Sequence, residues 1–244
     1  MLTRLTPRPV PKVWGSRHLE PWFPDTSEKI GEVWFEGPPK PPLLIKFLFT
    51  TEPLSVQVHP EGKTEMWHIL AADPGAKIAA GFREKISEER LRASALSGEI
   101  EDLLEWFEAR PGDTFFIPAG TVHAIGAGLV LCEIQQRSDI TYRLFDYGRP
   151  RELHLDEGVR VSRRSPHAAR QEAREGVLVT CPYFTTEKLR VDGDARCAAG
   201  RTIILLDGSL KIGSQPARAG EAWYAEPGGS AVQLTGQATV LLTY

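Results

Sequence analysis

The chain has no asparagine, only two methionines and only three cysteines in 244 residues. Cys132, Cys181 and Cys197 are odd in number and form no Cys-x-x-Cys pair. A disulfide framework is therefore not expected, and a reducing compartment, the cytoplasm, is. No apolar run approaches the roughly 18 residues that span a bilayer, so no membrane partner is expected. The segment MLTRLTPRPVPKVWG sets prolines where a signal peptide needs an apolar core, so none is expected. A basic excess is also missing. Lys and Arg number 29 against 32 Asp and Glu, a net charge of -3, which argues against a dedicated nucleic-acid binder. The lack of Asn and Met beside abundant Arg and Pro leans towards a thermophilic source.

What is present is ordinary for a soluble globular protein: 41% hydrophobic and 25% charged residues. The length corresponds to about 1.6 domains. Such a chain buries about 70–75% of its unfolded surface and needs no covalent staples. Residues 1–42 are rich in proline and aromatics and read as an irregular wrap with a short strand, Glu32–Glu36. Leu43–Thr50 is nearly continuously apolar, as a buried strand would be. Leu54–His59 and Glu65–Ala71 alternate, and Thr114–Ile117, Gly128–Gln135 and Thr141–Asp146 read as further strands.

One stretch, Ser87 to Arg110, reads as helical, with Ser87 as N-cap and Glu88 and Glu89 in the first turn. Ser97-Gly98 breaks it, and Ile100, Leu103, Leu104 and Phe107 mark an apolar face at helical spacing. The charged, Arg-rich residues 150–175 read as a solvated face or linker, with a strand such as Val159–Ser162 or a surface helix as alternatives and an anion-binding rim as the minority reading. From Gly176 onward short strands and turns recur every 8–12 residues or so, as in a sandwich or barrel. A weak repeat relates Arg110-Pro111-Gly112-Asp113 and its following strand to Arg218-Ala219-Gly220-Glu221 and its own. The expected architecture is mainly β, a metal-binding barrel domain over 1–165 with a helical insertion around 87–110, and a smaller barrel-like domain over 176–244. The second copy has no histidine after its proline and is expected to carry no metal.

Strand alternation locates the chemistry. Val56 and Val58 face one way, and Ser55, Gln57 and His59 the other. If the valines pack into the fold, the polar line projects into a cavity. Glu65 continues the same hairpin. His68 falls on the opposite face of its strand and reads as a satisfied core or surface histidine. In Gly112–His123, the spacing G-x5-P-x-G-x2-H starts a strand, turns a corner and throws His123 back into the barrel. Gln57, His59, Glu65 and His123 supply two imidazoles, a carboxylate and an amide oxygen, which suits Zn2+, Mn2+ or Fe2+ and leaves room for substrate.

The G-x5-P-x-G-x2-H element resembles the second motif of the cupins, double-stranded β-helix (jelly-roll) barrels, without the closing asparagine. Five ordered segments resemble the short bacterial form of the type I phosphomannose isomerases. They are Val13-Trp14-Gly15, Leu54–Pro60, Gly62–Trp67, Pro118–Ala124 and Glu133–Tyr147. The resemblance implies a zinc enzyme, one ion per chain, that interconverts mannose 6-phosphate and fructose 6-phosphate through a cis-enediol. It places the ligands at Gln57, His59, Glu65 and His123, and a catalytic arginine at Arg143. The insertions of longer family members are missing here.

The reaction needs a base, a positive charge for the developing oxyanion and a grip on phosphate. Arg143 can stabilise the enediolate or bind substrate. Lys63 is expected near the site mouth, for phosphate or proton transfer. Glu133 is expected to face the lumen as base or ring-opening acid, or as an ion-pair partner of Arg143. Ser55 is a candidate substrate contact, and Trp14 and Trp34 read as core or lid packing. No glycine-rich phosphate loop is present. Rival readings are an iron dioxygenase using His59, Glu65 and His123, and a non-catalytic sugar-phosphate-binding cupin. The expected partner is a small sugar phosphate, and the expected assembly a monomer or homodimer.

Overall fold

A computed structural model describes residues 1–171 and 174–244. Its strands form three sheets. One of five strands runs in the order Tyr142–Phe145, Val56–Val58, His123–Ile125, Lys77–Phe82, Leu104–Glu108. One of seven runs Arg170–Gln171, Thr114–Ile117, Glu65–Ala72, Leu129–Gln136, Leu43–Thr50, Ile30–Glu36, Thr6–Ser16. These two face each other across a core of Leu48, Trp67, Ile69, Ile78, Phe115 and Leu131. The third sheet is built from residues 176–243 with Leu2–Arg4 at one edge.

Alternation explains the layers. Along Leu43–Thr50, Ile45, Phe47 and Phe49 point away from the cavity and pack with Leu178, Phe184, Ile204 and Leu241 of the third sheet. Lys46 and Leu48 point inward. Burial on both faces makes this strand a nearly unbroken apolar run. On the five-stranded sheet, Val56, Val58 and Val122 pack outward against Leu91, Ala95 and Val159 of two helices, which leaves Gln57 on the inner face.

The third sheet contains longer strands than the expected short ones. Thr202–Ile212 and Val232–Thr243 run for 11 and 12 residues, and the first continues through a register irregularity between Leu205 and Asp207. The two related Gly segments do the same job. Gly112 and Gly220 adopt φ of 92° and 82° just before the strands Thr114–Ile117 and Ala222–Ala225.

Three expectations need correction. The helical stretch ends early. Helices cover Glu88–Ser97 and Ile100–Leu103, and Leu104–Glu108 is a strand paired with Lys77–Phe82. Leu-Leu-Glu-Trp-Phe satisfies either period over so short a span, and the free sheet edge decides it. Residues 6–16 are not irregular but an eleven-residue strand. Pro7, Pro9 and Pro11 recur every second residue, so their missing N–H groups all fall on one side, and this is the outermost strand of its sheet. Within 150–175 the linker reading gives way to the surface-helix alternative: Leu155–Val161 is a helix packed on the five-stranded sheet; residues 172–173 lie outside the described residues.

His68 is buried and bonds Thr114 Oγ1 at 3.0 Å through Nδ1. Burial pushes its pKa down to about 4. The unfolded chain takes up this proton near pH 6.5 and the folded chain only near 4, so the folded state loses stability as pH falls through that window. Melting temperature should drop between pH 6.5 and 4, and His68→Gln should flatten that part of the curve. An unchanged slope in the variant would refute the assignment.

Candidate metal centre

Two sheets and one loop assemble the polar group. His123 and Gln57 are directly opposed in neighbouring strands of the five-stranded sheet. Glu65 begins its strand in the facing sheet, between Ile117 and Gln135. His59 sits on the connection from one sheet to the other. The two histidine loops are tied together, because the Gly120 N–H donates to the His59 carbonyl at 2.8 Å. Gly120 has φ +84°, and a Cβ there would lie 2.9 Å from the Val161 carbonyl oxygen. Gly120→Ala should therefore destabilise the fold by at least about 1–2 kcal/mol, readable by urea denaturation; an unchanged midpoint would contradict this.

His59, Glu65 and His123 are all buried, and their candidate ligand atoms lie within 4.8 Å of one another. His59 Nε2 is 3.5 Å from Glu65 Oε2, and His123 Nε2 is 3.6 Å from Glu65 Oε1. Each imidazole is oriented through its other nitrogen: His59 Nδ1 is 3.0 Å from the Ile140 carbonyl and His123 Nδ1 is 2.9 Å from that of Thr121. With Nδ1–H donating to a carbonyl, each Nε2 presents a lone pair to the centre, the arrangement that orients metal-ligating histidines. Burial pushes the His59 pKa down to about 4 and lowers that of His123, so both are neutral near pH 7. Burial alone would raise the Glu65 pKa, but His59 and Lys63 outweigh it and hold the carboxyl below its ordinary range.

Both Glu65 oxygens are buried without a hydrogen-bond partner. An ionised carboxylate in that state is costly unless a cation meets it. Two neutral imidazoles and a carboxylate with no hydrogen-bond partner, met only by Lys63 Nζ at 3.9 Å, thus fit a divalent ion. Gln57 lies beside them, its Nε2 3.2 Å from His123 Nε2, and its Oε1 accepts from Ser55 at 3.1 Å.

A cavity of about 340 Å3 opens next to this group, lined by Ser55, Gln57, Lys63, Glu133 and Arg143 among others. Lys63 is buried rather than poised at the mouth, with Nζ 3.1 Å from His59 Nε2 and 3.9 Å from Glu65 Oε2. Burial lowers its pKa. Glu133 faces the cavity, but its ion pair is with Lys46 at 2.7 Å, not with Arg143, and its other oxygen accepts from Trp67 Nε1 at 3.0 Å. Trp14 is core, buried between the sheets. Trp34 borders the cavity, with Lys46 Nζ 4.8 Å from its ring centroid.

Sequence reasoning passed over Lys46, Glu32, Arg151 and His154, all of which line the cavity. A lone lysine inside Leu43–Thr50 was the available signal for the first, since a charge is rarely buried in a core strand without a task or a partner. Arg151 and His154 were hidden in a stretch whose charge density resembles a solvated surface.

The fold and this group define a cupin-like β protein with a His/Glu/His site that could hold a metal. No protein-family model matches the chain. It is similar in sequence to mannose-6-phosphate isomerase ManA of Bacillus subtilis (strain 168), 38% identical over 191 residues, 68% of this chain and 60% of that relative. The crystal structure of mannose 6-phosphate isomerase from Bacillus subtilis matches it with a TM-score of 0.86 at 28% identity, over 99% of this chain and 98% of that one. A mannose 6-phosphate isomerase bound with zinc and yttrium shares the fold, with a TM-score of 0.79 at 15% identity over 100% and 99% of the two chains. The chain thus resembles the mannose-6-phosphate isomerases in sequence and fold, and it spans 56–62% of the length of the curated relatives it matches. Among the described residues, no helix is long and apolar enough to cross a membrane.

Proposed function

We propose that the chain is a zinc-dependent mannose-6-phosphate isomerase that interconverts mannose 6-phosphate and fructose 6-phosphate through a cis-enediol. The observation that carries this reading is the buried Glu65 carboxylate, without a hydrogen-bond partner between two neutral imidazoles, set behind Gln57 and Lys63, which line a cavity together with Glu133 and Arg143. His59, Glu65 and His123 would hold the ion, and Gln57, whose Nε2 now faces His123 while Oε1 bonds Ser55, would join them with its amide turned over. Bound there, zinc supplies Lewis acidity toward the sugar oxygens. Zinc suits this donor set, and a neighbour of the same fold binds it.

The chain's own groups divide the remaining work. Arg143 is permanently charged and planar, so it stabilises negative charge developing on O1 or O2 of the enediolate. Lys63 has a pKa lowered by burial, which brings its amine closer to the range useful for taking and returning a proton. Glu133, fixed by Lys46 and Trp67, presents its remaining lone pairs to a sugar hydroxyl during ring opening and proton transfer. Ser55 holds the Gln57 amide and lies within reach of substrate. The C2 proton passes to a protein base, a hydrogen is returned to C1, and the hydroxyl proton moves between O1 and O2, so no external oxidant is required.

Incubating the protein with mannose 6-phosphate while following fructose 6-phosphate and dissolved oxygen together tests the reading. Ketose formation without oxygen uptake is expected. Oxygen consumption would favour an iron dioxygenase, and tight sugar-phosphate binding without turnover a non-catalytic binding protein.

A further inference from the structure

Asp146 is buried, yet its carboxylate meets two guanidinium groups. Arg151 engages it in a fork, Nε to Oδ2 at 2.6 Å and Nη2 to Oδ1 at 2.6 Å. Arg149 donates Nε and Nη2 to Oδ1 at 3.1 and 2.8 Å, and Nη2 also to the Pro53 carbonyl at 2.9 Å. The two arginines differ in what they face. Arg151 lines the cavity, together with Arg143, and Arg149 does not.

The backbone is shaped to allow this. Tyr147 has φ 55° and Gly148 φ 75°, and the Arg149 N–H donates to the Asp146 carbonyl at 3.0 Å. That is a tight two-residue turn of the primed type. Left-handed backbone is unfavourable for tyrosine, and here the ring is held by Phe145 at 5.0 Å and by the Arg149 guanidinium at 5.3 Å. The base of the loop is closed by the His154 N–H donating to the Arg143 carbonyl at 2.8 Å. The turn and the Asp146 fork therefore bring Arg151 back to the cavity that Arg143 enters from the strand.

The charges suit a dianion. Two of the five N–H groups of Arg151 are taken by Asp146, which leaves the Nη1 edge free to donate. Arg143 makes no side-chain ion pair among the described residues, and the nearby positive charge of Arg151 helps burial to lower its pKa. Two carboxylates, Asp146 and Glu152, among three guanidiniums leave the loop positive. Asp139, which also lines the cavity, and Glu152, whose charge acts on Arg143, are exposed, so solvent screens them in part.

We infer that Arg151, aimed by Asp146, reads the phosphate group of the substrate together with Arg143, and so discriminates sugar phosphates from free sugars. This rests on the isomerase reading, and it makes Asp146 a positioning residue.

The test compares Arg151→Gln, Arg151→Lys and Asp146→Asn in the zinc-loaded protein. KM and kcat for mannose 6-phosphate are measured, with competitive inhibition by inorganic phosphate and near-ultraviolet circular dichroism as a check of packing. Arg151→Gln should raise both KM and the phosphate inhibition constant by roughly tenfold or more, with kcat within about threefold of the parent. Arg151→Lys should recover part of the loss. Asp146→Asn separates positioning from charge by sign. It removes a negative charge, so a purely electrostatic role predicts tighter phosphate binding, whereas the inferred role predicts weaker binding. Unchanged KM and inhibition constant in a folded Arg151→Gln, or tighter binding in Asp146→Asn, would overturn the inference. Should Arg151→Gln not fold, the other two variants decide it. If the parent does not isomerise, the functional reading fails by itself. Calorimetric titration with mannose 6-phosphate and with mannose then still decides whether Arg151 selects the phosphate.

Discussion

His123→Ala is expected to release the metal and lower kcat/KM for mannose 6-phosphate by roughly a thousandfold, the scale of losing several kcal/mol of charge stabilisation. The imidazole is fully buried, and its Nδ1 contact with the Thr121 carbonyl leaves Nε2 nowhere to point except toward Glu65 and Gln57. The ring also packs against Trp67, with centroids 5.2 Å apart, so some stability is lost as well. Bound metal per folded chain is therefore the decisive readout, taken beside circular dichroism. A variant that keeps a full equivalent of metal and its activity would remove His123 from the site.

The second large effect concerns the layer beneath the cavity. Phe47→Ala is expected to cost about 3–5 kcal/mol of unfolding free energy. Phe47 is fully buried, with ring centroids 5.6 Å from Phe35, 5.7 Å from Phe23 and 6.4 Å from Trp22. It belongs to the cluster that joins the outer face of the seven-stranded sheet to Leu178, Ile204 and Leu241. Its neighbour Lys46 points the opposite way and holds Glu133. Loss of the ring should loosen this packing, and activity should fall at temperatures where the parent is unaffected. Urea denaturation measures the cost, and a loss below about 1 kcal/mol would show that the cluster can collapse into the space.

Several features were legible in the sequence for identifiable reasons. Leu43–Thr50 and Thr114–Ile117 match the structure in extent because burial and bounding turn residues leave one reading. Gln57 and His123 share an inner face because Val56, Val58 and Val122 supply the opposite, outward one. Residues 6–16 were misread because proline excludes a central strand, while edge pairing depends on the neighbour at Ile30–Glu36. Leu104–Glu108 was misread because five residues do not separate a period of 2 from one of 3.6. The partner of Glu133 was out of reach of sequence. Lys46 lies 87 positions earlier and meets it only through strand register. Arg151 depends likewise on a left-handed tyrosine that no local pattern announces.

Zinc titration of the metal-stripped protein is the most direct measurement of the central claim, with bound zinc and mannose 6-phosphate turnover recorded on the same samples. Activity should rise in proportion to occupancy and saturate at one ion per chain. Turnover that is complete without metal, or absent from a folded and zinc-saturated protein, would contradict the account.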